Sequence, residues 1–284
     1  MIHLSDEDRA LIEGVTGQPL GDISGWELGS PKWGVGAKFI DNPADNKRGH
    51  HLVRCVCAWR AYEERLKDFG SYNDTKVQEF LKVGFVTERV KVEAIPETVK
   101  KYVGTHKFED NPGNPKVPVR FKKTGSQWLY QTIIHDPSDQ RHKKYLQYAL
   151  HSDIFFPSFK FWYVFEKVKK SHGPFTMVPE SHDISEKRLS WDYAASQLPP
   201  HMLCVEGNPS HGSFRVHNSA IEGKESKELA KYGFKEPVPL TAAVGTLIIS
   251  NVRGFHKRGR AEKGTKRRYI LTSYRPLNPF RMEV

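Results

Sequence analysis

Tyr145-Leu146-Gln147-Tyr148-Ala149-Leu150-His151-Ser152-Asp153-Ile154-Phe155-Phe156 is the stretch on which the reading of this chain turns. Its apolar and aromatic content is that of a β-strand. Side chains alternate faces along a strand, so His151 and Asp153 project to the same side, roughly 6.5–7 Å apart along the backbone. An imidazole nitrogen and a carboxylate oxygen placed in this way can converge on one metal ion. A further ligand must then come from elsewhere in the chain.

Residues 244–251 read as a buried strand, followed by Val252-Arg253-Gly254-Phe255-His256. After the turn-rich link Glu262-Lys263-Gly264-Thr265-Lys266, residues 268–274 read as a second strand. The expectation is a long hairpin, with His256 where the first strand ends and Arg267 near the start of the return strand. Two histidines and one carboxylate, with three positions left open, form the non-haem Fe(II) oxygenase ligand set.

These residues resemble the phytanoyl-CoA dioxygenase family of Fe(II)/2-oxoglutarate oxygenases. The family pattern is His-x-Asp, then Gly-Pro-x-x-x-x-Pro-x-Ser-His, then a Gly-x-Leu strand ending in His with an Arg eleven residues on. Here the elements are His151-Ser152-Asp153, Gly173-Pro174-Phe175-Thr176-Met177-Val178-Pro179-Glu180-Ser181-His182, and Gly245-Thr246-Leu247 through His256 to Arg267. Order and spacing agree, and the resemblance runs from Leu146 to the C-terminus. Among 13 histidines only one His-x-Asp occurs, with its companions in register.

The resemblance implies a double-stranded β-helix, the jelly-roll or cupin-like barrel, and the many short strands suggest the same fold. The fold class expected is mainly β with flanking helices. It also implies Fe(II) held by His151, Asp153 and His256, with 2-oxoglutarate and O2 as co-substrates. The implied reaction decarboxylates 2-oxoglutarate to succinate and CO2 while a substrate C–H bond is oxidised. In 2-oxoglutarate halogenases Gly or Ala replaces the carboxylate; Asp153 is present, so hydroxylation or a related oxidation is implied.

A 2-oxo acid chelating the metal leaves its distal carboxylate in need of a cation. Arginine suits it, because its planar fork meets a carboxylate with two hydrogen bonds and stays charged. Arg267 is the candidate by its spacing from His256; Arg268 is the rival, since a one-residue register change swaps faces. Gln147 shares the face of His151 and Asp153 on a regular strand, where it can serve the co-substrate, a metal ligand or the structure alone. The family often carries a small hydroxyl residue two positions after the distal His; Arg258 stands there in this sequence.

The 284 residues suit one oxygenase domain over 1–284, with a helix-rich part (1–110) packed on a strand-rich core (111–284). Asn111-Pro112-Gly113-Asn114-Pro115 marks the change. Helices are expected over 5–13, 51–69, 74–83, 96–103, 185–197 and 225–231, the fifth at the mouth of the site. Strands are expected over 128–134, 145–154, 159–168, 175–179, 238–251 and 268–274. Gly34-Val35-Gly36 lacks the last glycine and the helix of a nucleotide loop.

Hydrophobic residues make up 38% and charged residues 27%, and the longest apolar run, 240–249, is far short of a membrane span. No membrane insertion is expected. The acidic N-terminus lacks the pattern of a signal peptide, and three cysteines make a disulfide framework a poor fit. A reducing, cytoplasmic setting follows.

The net charge of +11 attracts anions without choosing among nucleic acid, phosphorylated metabolite and carboxylate. His182, His201, His211 and His217 lack convincing metal-ligand spacing and read as surface or hydrogen-bonded core. The favoured reading is a hydroxylase of a small, anionic metabolite. One alternative is an AlkB-type nucleic-acid demethylase, but Arg275 and Arg281 do not give the second arginine its spacing, and nucleic acid is disfavoured as partner. The other is a non-catalytic basic jelly-roll binding protein.

Overall fold

The computed structural model describes residues 4–26, 28, 43–67, 74–90, 116–120, 127–134, 148–164, 166–198, 214–216, 224–262 and 265–274. The helices among them are α1 (Asp6–Thr16), α2 (Pro43–Lys47), α3 (His50–Lys67), α4 (Thr75–Val83), α5 (Glu186–Ser196) and α6 (Lys224–Ala230). The strands are β1 (Phe85–Arg89), β2 (Lys116–Arg120), β3 (Gln127–Ile134), β4 (His151–Ser152), β5 (Phe159–Val164), β6 (Phe175–Met177), β7 (Phe214–Arg215), β8 (Val238–Pro239), β9 (Thr246–Asn251), β10 (His256–Arg258) and β11 (Lys266–Tyr274). They form two antiparallel sheets, ordered β1-β9-β5-β11-β3-β2 and β7-β4-β10-β6-β8.

The helices start where short polar side chains satisfy free backbone N–H groups. Ser5 Oγ accepts from Asp8 N at 3.1 Å, and Asp74 Oδ1 accepts from Lys76 N at 2.8 Å. On α3 the helical spacing of Leu52, Val53, Val56 and Trp59 buries one face. That face joins Ile12 of α1, Leu189 and Trp191 of α5, and Phe155 and Phe255 from the loops beside the second sheet, in one core. A separate cluster, Trp162, Val164, Leu240, Ile248 and Tyr269 with Phe175 beside it, brings residues of both sheets together.

Five of the expected helices are present with bounds shifted by at most three residues. The expected helix at 96–103, the boundary at 111–115, Gln147, and His201, His211 and His217 lie outside the described residues, as do Arg275 and Arg281. No helix among the described residues is long and apolar enough to cross a membrane.

Four strand expectations need correction. β9 and β11 are not a hairpin: β5 lies between them, with Phe161 opposite Ile249 on one side and Thr272 on the other. The chain instead leaves the six-stranded sheet at Asn251, crosses to the five-stranded sheet for β10, and returns at Lys266. Residues 238–251 are likewise two strands, one in each sheet, broken before Gly245 at φ 79°. The strand expected over 145–154 is, among its described residues, only His151–Ser152. Ser152 Oγ donates to Ile154 O at 3.1 Å and Arg253 O at 2.7 Å, and such side-chain bonds compete with a ladder. Finally, β1 follows α4 in the helix-rich part and pairs with β9 along its whole length, a strand the sequence reading omitted.

Candidate metal and 2-oxo-acid site

β4 and β10 are antiparallel neighbours in which His151 and His256 stand directly opposite each other. Cross-strand partners share a face, and the two imidazole rings lie 4.4 Å apart between centroids. Asp153, one residue past β4, is tied to the other arm by its N–H, which donates to Val252 O at 3.0 Å. Its Oδ1 lies 3.4 Å from His151 Nε2 and 3.5 Å from His256 Nε2. One ligand atom from each of the three residues falls within 4.8 Å of the others, a grouping of metal-binding size.

The hydrogen bonds fix how the imidazoles face this point. His151 Nδ1 lies 2.7 Å from Ala149 O, and His256 Nδ1 lies 2.8 Å from Gly254 O. A carbonyl only accepts, so each Nδ1 carries a proton and each ring turns its Nε2 inward. Neither buried Nε2 has a hydrogen-bond partner among the described residues. Burial pushes the His256 imidazolium down to about 4, against the pull of Asp153, so the ring is neutral at pH 7. Burial raises the Asp153 carboxyl, but its charged surroundings, Lys160 foremost, hold it well below the usual carboxylate range. Two imidazole nitrogens and a carboxylate oxygen thus face one point. The donor set fits Fe(II).

Behind the triad lies a buried charged network that the sequence reading missed. Arg188 of α5 meets both Asp192 oxygens at 3.1 Å, and its guanidinium also reaches Arg253 O at 2.9 Å and Ser152 Oγ at 3.3 Å. Arg253 donates to Phe155 O at 2.8 Å, His182 O at 2.7 Å and Asp192 Oδ2 at 2.9 Å. These bonds lock the turn before His256 to the loop that carries His151 and Asp153. On the opposite flank, Glu225 of α6 accepts from Leu150 N at 2.6 Å and pairs with Lys257 at 3.1 Å, joining β4 to β10. The usable signal was a charge in apolar company: Arg188 and Asp192, four apart, flank Leu189 and Trp191. α5 therefore supports the site from behind; it does not line its mouth as expected.

His182 is a core histidine, as expected, with Nε2 2.9 Å from Leu81 O and its ring edge-on to Trp59. Ser181, its neighbour in the Gly-Pro motif, accepts from Phe255 N at 2.8 Å, so this segment braces the strand into His256. Gly254 lets Met177 pack close: a Cβ there would lie 2.3 Å from Met177 Cε and displace that methyl.

A pocket of about 110 Å³ opens between the sheets. Its lining includes His256, Lys160, Trp162, Phe175, Arg258 and Arg267. Arg267, Tyr269 and Leu271 line it at alternate positions of β11, so the register turns Arg267 inward. Arg267 is 5% exposed, stacks on Tyr269 at 5.0 Å and donates to Gly173 O. No acidic side chain among the described residues pairs with it, and burial presses its pKa below the usual arginine value. A buried cation without a counter-charge is a site for an anion. Arg258 also lines the pocket, at the position where the resembling family often has a small hydroxyl.

No family model matches this sequence, and no curated protein matches it. Solved structures are similar to it only loosely. The crystal structure of EvdMO1 matches at 16% identity and TM-score 0.28, over 57% of this chain and 27% of EvdMO1. The epimerase SnoN, in complex with Fe3+, alpha ketoglutarate and nogalamycin RO, matches at 11% identity and TM-score 0.38, over 72% of this chain and 84% of SnoN. HygX from Streptomyces hygroscopicus, with nickel, 2-oxoglutarate and hygromycin B bound, matches at 12% identity and TM-score 0.36, over 72% and 87%. The chemistry is therefore read from this chain's own side chains.

Proposed function

We propose that this chain is an Fe(II)- and 2-oxoglutarate-dependent dioxygenase that oxidises a C–H bond of a small, anionic metabolite. The observation that carries the reading is the pairing of two features in one place. His256 of a three-residue donor set and the buried cation Arg267, with which no acidic side chain among the described residues pairs, line the same pocket. His151, Asp153 and His256 would hold the metal, which with bound 2-oxoglutarate and O2 supplies the oxidising power.

The protein's part is positioning. Arg267 would receive the distal carboxylate of 2-oxoglutarate, its fork already aimed inward by the bond to Gly173 O and by stacking on Tyr269. Trp162, Phe175 and Leu271 keep water from the carbon chain. The Nδ1–H bonds hold both imidazoles in the ligating tautomer. Among the pocket-lining cations Lys160 pairs with Asp153 and Lys257 with Glu225, and the buried Arg267 is the one that favours an anionic ligand.

Two antiparallel sheets with the pocket between them, and a chain that crosses repeatedly from one to the other, support a double-stranded β-helix. The pairing of β1 with β9 supports one domain from the helix-rich part to the core. The ordered motifs support a place near the phytanoyl-CoA dioxygenases. The test is succinate production from 2-oxoglutarate by the Fe(II)-loaded protein under air, screened against carboxylates, amino acids and acyl conjugates. A substrate that stimulates succinate and gains one oxygen atom is the expected result. A folded, iron-loaded protein that yields no succinate with any compound, or is stimulated only by nucleic acid, would overturn the reading.

A further inference from the structure

Asp153 uses its two oxygens differently. Oδ1 faces both histidine Nε2 atoms, at 3.4 and 3.5 Å. Oδ2 is held by Lys160 Nζ in an ion pair. Lys160 projects from β5, a strand hydrogen-bonded on both sides, with Ser250 of β9 and Ser273 of β11 opposite it. Its ammonium, on a side chain 22% exposed, is brought against the carboxylate from the opposite sheet to the one carrying the histidines. Lys160 also lines the pocket beside His256.

A carboxylate can bind a metal through one oxygen or through both, and the second mode consumes an extra coordination position. A keto acid needs two adjacent positions and O2 a third. Resting on the proposed function, we propose that Lys160 is a positioning residue that engages Oδ2 of Asp153 and so restricts this ligand to a single oxygen. The charge-assisted bond occupies the lone pairs that would otherwise turn to the metal. Partners of metal ligands are known to act at this level, changing affinity or activity by 10–100-fold. The distinctive consequence is a split: loss of Lys160 spares binding of the metal and impairs chelation of the keto acid.

The experiment uses the full chain as apoprotein under anaerobic conditions. Fe(II) affinity is measured first, by competition with a coloured chelator. 2-Oxoglutarate is then added while the visible charge-transfer band of the chelated keto acid is followed. Lys160→Met keeps the apolar stem and removes the ammonium; Lys160→Arg restores a donor and a charge. The expected result for Lys160→Met is an Fe(II) affinity within about threefold of wild type and a 2-oxoglutarate requirement raised about tenfold or more, with Lys160→Arg recovering most of it.

An unchanged 2-oxoglutarate requirement in Lys160→Met overturns the proposal. So does a joint loss of metal and keto-acid binding that Lys160→Arg fails to recover, which marks a purely structural lysine. A wild-type protein that binds no Fe(II) overturns the proposed function itself, and this proposal with it.

Discussion

Two imidazole nitrogens and a carboxylate oxygen converge on one point, within 4.8 Å of one another. The chain spends backbone hydrogen bonds from Ala149 and Gly254 to keep them so. Arg267 is held in the same way, as a buried charge without a counter-ion among the described residues. Arg267→Ala is expected to raise the 2-oxoglutarate needed for half-saturation by about 10–100-fold, the loss of a charge-assisted pair, with Arg267→Lys between the two. An unchanged requirement contradicts its role as anchor. His51 and His182 give a second prediction, because burial pushes them down to about 3 and about 4. Below pH 6.5 the unfolded chain takes up protons that the folded chain refuses, so stability is full above 6.5 and falls as pH falls. Each histidine should cost about 2 kcal/mol between pH 7 and pH 5. Urea denaturation at the two values checks this; equal stability at both contradicts it. The candidate donor set was legible because its spacing is chemical: one His-x-Asp, and one His with an Arg eleven residues on. Lys160 was not legible, because its contact with Asp153 is made between sheets.

Strand partners explain both what the sequence disclosed and what it concealed. Apolar runs announced β5, β9 and β11, and the structure shows caps at Ser5 and Asp74 where α1 and α4 start. Which strand lies beside which is not a local property: β5 separates β9 from β11 although a glycine-bearing link follows β10. The short strands β4, β7 and β8 have two residues each, too few to show a period. Of these β4 carries His151, so it depends on fastenings from outside the sheet. Glu225 is one: Glu225→Ala leaves Leu150 N–H unsatisfied and Lys257 unpaired, and should cost roughly 2–4 kcal/mol, with Fe(II) affinity falling alongside. Glu225→Gln keeps an acceptor for Leu150 and should cost less. Asp192 is the other: Asp192→Asn leaves Arg188 and Arg253 buried together without a counter-charge, for a loss of roughly 3–5 kcal/mol. Denaturant midpoints of the variants measure both; values within 0.5 kcal/mol of wild type, about the scale of a neutral surface change, contradict the clamp.

The net charge of +11 gives the molecule a field that gathers anions, and four lysines and arginines at the pocket place part of it beside the donor set. A metal that binds only the folded chain stabilises it by mass action, about 2.7 kcal/mol at a hundredfold excess over Kd. Thermal unfolding of the apoprotein should therefore move up by several degrees with Fe(II) or another divalent ion under anaerobic conditions, and not at all in His151→Ala. An equal shift in that variant places the metal elsewhere. The most direct measurement is the anaerobic titration of apoprotein with Fe(II) and then 2-oxoglutarate, beside Asp153→Ala and His256→Ala. The account predicts a visible charge-transfer band in wild type that appears only when both are present, and no band in His256→Ala. A folded wild-type protein that binds neither, or a band that survives the loss of His256, contradicts it.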